Sequence, residues 1–237
     1  MKDFFKNVLA TVVGIILTFV IMGIFGIMGI IGMVASTEQS KNVEDNSVLV
    51  LNMTGTLSER AESNPFSDIM GKVAKSNGLD DILKAIEKAK DNDKIKGIYI
   101  EAGLFSPDSY ASLQAIRRAL SDFKKSGKWI VAYGDSYTQG VYYLASVADK
   151  LYINPQGQID WHGIAAERMY MKDLMAKFGV KMQVTKVGTY KSATEQFTND
   201  KMSDADREQT TAIINGVWKN VVNEVAASRK LTAAKLN

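Results

Sequence analysis

From Val8 to Ala35 the chain reads VLATVVGIILTFVIMGIFGIMGIIGMVA, without one charged side chain. A helix needs about 20 apolar residues to cross a bilayer core of about 30 Å, so this stretch can span one even when tilted. The apolar core of a secretory signal runs to only about 7–15 residues, and no small-x-small cleavage site follows here. The expectation is a retained anchor over residues 8–35, behind a short N-terminal stretch, residues 1–7. Lys2, Lys6 and the terminal amine precede the span, whereas its far side opens on the nearly neutral STEQSKNVED. By the positive-inside rule the N-terminus is cytoplasmic and the rest of the chain is exported, with the lipid bilayer as its first partner. Gly23, Gly26, Gly29 and Gly32 recur at every third position. They suit either a close helix–helix approach or the ordinary abundance of glycine in membrane helices.

Beyond the span, residues 36–46 read as a polar linker and residues 47–237 as one domain of ordinary size. SVLVLNM, Ser47 to Met53, is a short buried-strand pattern, and TGTLSERAESNPFSD after it reads as a loop. LDDILKAIEKAKDND places Leu79, Ile82, Leu83, Ala85 and Ile86 on one helical face. The pattern then alternates. KIKGIYIEA, KWIVAYGD, KLYINPQG and VKMQVTKVG read as strands, while SYASLQAIRRALSDFKKSG, QGVYYLASVAD and AAERMYMKDLMAKFG read as helices. A long final helix starts at Ser203, with Asp206 at the capping-box position. Strands alternating with helices of this length imply an α/β fold with a mainly parallel sheet. After Lys230, Thr232 reads as the N-cap of a further helix whose first turn AAKLN is not completed, as if the domain continued beyond Asn237.

Several function classes drop out. Lys and Arg number 29 against 26 acids, for a net charge of +3, and the two signs interleave as in DNDKIK and DADREQ. No basic face of the kind nucleic acid requires is present, so no nucleic-acid partner is expected. The absence of cysteine rules out disulfides, thiolate nucleophiles and Cys-based zinc sites. The lone histidine, His162 in DWHG, would have to carry any Ser-His-Asp arrangement or metal site alone, and reads as a loop residue. Neither GxxxxGK[ST] nor GxGxxG occurs, so no nucleotide cofactor is signalled and no metal is expected.

Three blocks carry a resemblance: IEKAKDNDKIKGIYIE, YGDSYTQGVYYLASVADKLYINPQGQIDWHG and KVGTYKSATEQFTNDKMSDADRE. With the N-terminal anchor they resemble the signal peptide peptidase A (protease IV) family, at the N-terminal half of its long duplicated bacterial form. The likeness covers essentially the whole chain. It implies a crotonase-like, ClpP-like α/β domain behind one transmembrane helix, in the bacterial inner membrane with the domain on the periplasmic side. It also implies a serine endopeptidase with a Ser/Lys dyad and neither metal nor organic cofactor. Its substrates would be signal-peptide remnants and other membrane-proximal peptides, and a homo-oligomer is expected.

In such a dyad a lysine amine takes the proton of a serine hydroxyl as the oxygen attacks a carbonyl carbon. An ordinary lysine, with a pKa of about 10.4, is protonated at neutral pH, so the base must be held away from water to lose its charge. The resemblance places the base at Lys191, in VGTYKSA. Gly188 is read as a position of positive φ or close backbone approach, Tyr190 with Val187 as apolar cover, and Ser192 as a hydroxyl partner for the amine. Taken alone, without the surrounding motif, Lys191 reads as an ordinary surface lysine. The serine of single-copy relatives opens a helix in a motif like ASGGYY. Here the stretch is TQGVYY, with Gln139 in the serine's place, and neither Thr138 nor Ser136 aligns with it. The resemblance therefore leaves this chain with the lysine of a dyad whose serine belongs to a C-terminal half. Two alternatives stand beside it: a catalytically silent, membrane-anchored scaffold of the same fold, and an acyl-CoA enzyme of the wider fold. The last rests on fold analogy alone, and an exported domain would not meet coenzyme A.

Overall fold

A computed structural model of the chain describes residues 2–37, 43–61 and 76–237. The chain divides into two units, one ending at Glu44 and the other running from Asp45 to Asn237. Residues 38–42 of the expected linker, and residues 62–75, which include the end of the expected loop, lie outside the described residues.

The first unit is a single helix, α1, Lys2–Thr37. Its stretch Lys2–Gly29 has a mean hydropathy of 2.8 and none of it is buried against protein. Phe19 and Phe25 are each 70% exposed. Thr11 and Thr18 donate their hydroxyls to the carbonyls of Asn7 and Gly14, which leaves these polar groups satisfied without water. At a rise of about 1.5 Å per residue the helix is roughly 54 Å long, ample for a bilayer core, and it is compatible with a single-pass anchor.

The second unit is built on five parallel strands in the order β2-β1-β3-β4-β5: β1 Ser47–Ser58, β2 Ser76–Gly78, β3 Ile95–Ser106, β4 Trp129–Gly134 and β5 Lys150–Ile153. β1 runs five residues past the expected Met53, through a register shift between Met53 and Gly55, because its alternation of buried and exposed residues continues to Leu57. Between the strands lie α2 Leu79–Asp91, α3 Tyr110–Lys124 and α4 Gln139–Ala145. The register explains the core. Leu51, Ile100 and Ala132 pair in one row and are buried, whereas Val50, Tyr99 and Val131 in the next row are not. The buried rows meet Ile86, Leu113, Ile116, Leu120, Phe123, Val141 and Leu144, all at 1% exposure or less. Lys128 closes the C-terminus of α2 by donating to the carbonyls of Ala89, Lys90 and Asn92, each at 2.8 Å.

Beyond β5 the regularity ends. The helix expected over residues 165–179 reduces to α5, Lys172–Lys177, and the strand expected over 180–188 is not formed. A strand needs a partner for its ladder, and residues 181–187 make no backbone hydrogen bond to another segment among the described residues. Their apolar residues stay in solvent, with Met182 42% and Val187 85% exposed. After the short α6, Glu195–Thr198, the long helix α7, Asp204–Arg229, returns to the body. Ser203 caps it as expected, accepting the amide of Asp206 at 3.2 Å. Val221, Val222, Val225 and Ala226 form its buried stripe. The segment after Lys230 makes a 3-10 turn, Ala233–Lys235, with Thr232 at its N-cap.

A buried ion pair fastens α7 to the body. Arg117 on α3 is 4% exposed and meets Glu224 at 3.1 Å. It also donates to Ser146 at 2.7 Å and to the Glu224 carbonyl at 2.8 Å. Gln114 and Tyr143 donate to the same carboxylate. Burial lowers the Arg117 pKa and, with the bond to Glu224, raises that of the Tyr143 hydroxyl. Burial alone would push Glu224 upward, but Tyr143, Gln114 and Arg117 outweigh it and hold the carboxylate below its ordinary value.

Candidate active site

Lys191 lies in the stretch between α5 and α6. Gly188 before it has φ +100°, so the positive backbone angle expected of this glycine is present. Only a residue without Cβ adopts that angle readily, and it turns the chain from the extended 180–187 stretch into the turn bearing Tyr190 and Lys191. Lys191 borders a cavity of about 830 Å³ together with Arg168, Lys186, Tyr190, Ser192 and Thr194. Two of its cations are matched. Arg168 meets Asp206 at 2.6 Å, and Lys186 approaches Glu195 at 3.7 Å. Lys191 makes no hydrogen bond or ion pair among the described residues, which leaves its amine free at the cavity.

The expected shelter of that amine is not supplied by this chain. Lys191 is exposed, Val187 is 85% and Tyr190 51% exposed, and the Tyr190 hydroxyl is turned to Glu208 at 3.2 Å. The physical reason is the missing ladder: without a neighbouring strand, nothing folds the side chains of 180–187 over the amine. Ser192 is buried, at 7% exposure, and makes no hydrogen bond to Lys191. His162 is a loop residue, its side chain 65% exposed and 3.4 Å from Asp160.

Gln139 is in a different place. It is the first residue of α4, 6% exposed, and no residue of α4 borders the Lys191 cavity. Its amide nitrogen donates to the Tyr110 hydroxyl at 2.7 Å and to the Gly163 carbonyl at 3.0 Å. Its amide oxygen accepts from His162 at 3.1 Å and from Gly163 at 2.8 Å. Thr138 just before it is spent as the α4 N-cap, accepting the Val141 amide at 3.4 Å. Gln139 thus does not line the cavity that Lys191 borders.

Three polar groups around the lysine escape sequence reasoning. Glu195, 3% exposed, accepts both the amide and the hydroxyl of Ser203, at 3.2 and 2.9 Å, and so joins α6 to the start of α7. Asp206 is fully buried beneath Arg168. Thr194 has a buried hydroxyl with no partner among the described residues. Nothing in TEQFTND or SDADRE marks these polar residues as interior; only their pairing across the chain does so.

Residues 122–237 match the family model described as peptidase family S49. Protease 4 of Salmonella typhi is 38% identical over 196 residues, 79% of this chain and 32% of its own length. Residues 122–237 form a peptidase family S49 domain. Protease 4 of Haemophilus influenzae is 34% identical over 200 residues, 82% of this chain and 32% of the relative. The chloroplastic serine protease SPPA of Arabidopsis thaliana is 25% identical, over 78% of this chain and 26% of that protein. This S49 chain therefore spans about a third of the length of the curated relatives it matches. Among solved structures, an enoyl-CoA hydratase/isomerase family protein from Silicibacter pomeroyi aligns over 82% of this chain and 93% of its own, with a TM-score of 0.34 and 13% identity. So loose a superposition carries no argument, and the α/β assignment rests on the parallel strand order and on the S49 domain.

Proposed function

We propose that this S49 chain supplies the general base of a membrane-anchored serine endopeptidase, with Lys191 as the lysine of a Ser/Lys dyad. The observation that carries the reading is a free amine at an open cavity, in an S49 chain whose serine position holds Gln139. The serine comes from a C-terminal half. Its hydroxyl oxygen attacks the scissile carbonyl while the Lys191 amine takes the proton, then returns it to the departing amine. A neutral amine is needed for the first step, so assembly must cover Lys191 and exclude water from it. The surface that covers it also gives the 180–187 stretch the neighbour it lacks. The substrates are signal-peptide remnants and other membrane-proximal peptides. α1 holds the domain on the exported side of the bacterial inner membrane with its N-terminus in the cytoplasm, and the working form is a homo-oligomer.

The test is a reconstitution. The chain alone should not cleave signal-like peptides. Mixed with a serine-bearing half, it should cleave them, and Lys191→Ala should lower kcat by about 10²–10⁴-fold, the usual worth of general-base catalysis. Activity that survives Lys191→Ala rejects the assignment.

The second reading, a silent membrane-anchored scaffold, is favoured by one observation: every hydrogen-bonding group of the Gln139 amide is engaged in structure. It expects no Lys191-dependent cleavage with any serine half.

A further inference from the structure

The stretch that follows β5 runs alongside residues 137–139 before it leaves the body. Tyr137 donates its amide to the Gln158 carbonyl at 2.9 Å, and its carbonyl accepts from Asp160 at 2.8 Å, a short parallel bridge centred on Ile159. The Tyr137 hydroxyl, pushed up to about 12 chiefly by burial, donates to the Tyr152 carbonyl at 2.9 Å, which fixes this bridge to β5. One residue further on, α4 begins and the backbone of 138–141 turns into helical bonds. Main-chain pairing with 161–163 therefore stops.

The Gln139 side chain continues it. A carboxamide carries the same N–H and C=O as a peptide group, and here both face Gly163. Gln139 Nε2 donates to the Gly163 carbonyl at 3.0 Å, and Gln139 Oε1 accepts the Gly163 amide at 2.8 Å. This is the reciprocal exchange that two opposed residues of an antiparallel pair make, here extending the contact beyond the parallel bridge at Ile159. The second lone pair of the oxygen takes His162 N–H and the second proton of the nitrogen goes to Tyr110, so the amide is used to its full capacity. Gly163 has φ +90°, an angle that turns the chain away from the body immediately after the last of these bonds. A serine at 139 is two atoms too short to reach across and has neither the paired donor and acceptor nor their geometry.

We infer that Gln139 is a latch, a positioning residue that replaces a missing piece of β-ladder and sets where the arm bearing Lys191 leaves the sheet. In this chain the position of the reacting serine serves architecture. The functional half of the inference rests on the proposed peptidase reading; the latch does not. From Gly163 the arm crosses to α7, where Arg168 on Asp206 and Tyr190 on Glu208 receive it. The latch is thus its support at the body end.

Two variants test this in the full chain. Gln139→Met keeps the length and removes all the bonds. Gln139→Glu keeps the acceptors for His162 and Gly163 but turns an oxygen to the Gly163 carbonyl, and Gln139→Leu, apolar and close in volume, repeats the first test should Gln139→Met fail to fold. In Gln139→Met the amides of His162 and Gly163 should exchange with solvent at least about tenfold faster, since each lost bond contributes to local opening. Gln139→Glu should also exchange faster than the parent chain at Gly163, whose carbonyl then faces a carboxylate oxygen. Amides of β3 should not change in either. With the serine half present, Gln139→Met should lower kcat by about tenfold through misplacement of the base, with KM and the pH profile unmoved, because Gln139 touches neither substrate nor proton. Unchanged exchange at Gly163 overturns the latch. Faster exchange with an unchanged kcat overturns its positioning role, as does a shifted pH profile. If the parent chain shows no Lys191-dependent cleavage with the serine half, the peptidase reading fails by itself, and exchange at Gly163 alone decides the latch.

Discussion

The sheet body, residues 47–153, and the arm, residues 160–202, have similar shares of apolar residues and opposite fates. In the body, each inward row of the register finds a helix above it, and Ile98, Ile100, Ile116 and Phe123 reach 0% exposure. In the arm, Met169, Phe178 and Val187 stay 74%, 77% and 85% exposed, and regular structure shrinks to two short helices. Local pattern is present in both. What differs is whether this chain supplies a second surface. The body closes its own core; the arm holds together through polar ties to α7 and the Gln139 latch, and offers its apolar side chains to something else.

The largest effects should separate the two regions. Phe123→Ala in the body should destabilise the chain by about 3–5 kcal/mol, as truncation of a buried aromatic does, while Phe178→Ala in the arm should stay within about 0.5 kcal/mol. Urea unfolding of both variants checks this, and equal losses would mean that the arm is as well packed as the body. Next comes Arg117→Ala, which removes a buried guanidinium with its bonds to Ser146 and the Glu224 carbonyl and leaves the half-buried Glu224 without its cation; it should cost about 2–3 kcal/mol. Because Arg117 joins α3 to α7 and not to the arm, amide exchange should rise in α7 around Val221 and Val225 before it rises in β3. A uniform rise would show that α7 and the sheet open as one unit.

This contrast also accounts for what could be read ahead of the structure. Where an element's partner lies within the chain, as for β3, α3 and β4, alternation or helical spacing located the element to within a few residues; β1 ran longer because its burial pattern crosses the bulge at Gly55. VKMQVTKVG carries an equally clear alternation but has no ladder partner here, so its pattern reports a disposition that this chain does not satisfy. At the candidate site, motif resemblance picked out Lys191, and the positive φ of Gly188 followed from residue type. The shelter expected from Tyr190 and Val187 did not form, because the 180–187 stretch has no ladder partner among the described residues to fold its side chains over the amine. The resemblance set Gln139 in a serine's place, whereas its pairing with Gly163 was not legible, since the contact depends on where β5 delivers residues 158–163.

Smaller changes sharpen the boundary between body and arm. Gly188→Ala meets only Lys191 Cγ, at 3.9 Å from the added carbon, so sterics leave room and the cost is confined to the backbone angle of +100°. An alanine there should cost about 1–2 kcal/mol, or let the turn relax and move Lys191, which a thermal melt combined with the reconstituted cleavage assay distinguishes. A lower melting temperature with normal kcat would show that the turn keeps its shape under strain; a normal melt with reduced kcat would show that it relaxes.

The smallest expected effect is one of pH, and it falls on the body alone. Glu224 is held below its ordinary value by Tyr143, Gln114 and Arg117 against the opposing effect of burial. A carboxylate with a depressed folded-state pKa adds stability that is fully present above its unfolded value, about 4.3, and is lost as pH falls through the folded value. Acidification from neutrality to about pH 5 should therefore leave the docking of α7 intact, and further acidification should loosen it. Glu224→Gln keeps one acceptor oxygen, which serves Gln114 or Tyr143 but not both in their present places, and has no charge to lose, so its α7 exchange should be faster than the parent's at neutral pH and flat across the acid range. The arm's tie between Tyr190 and Glu208 is exposed, and the Tyr190 hydroxyl is raised chiefly by that bond. Screening by solvent makes this tie a weak one, and amide exchange around Tyr190 should follow the intrinsic pH dependence of a solvated chain. If α7 and the arm lost protection together on acidification, the separation between a self-sufficient body and a dependent arm would not hold.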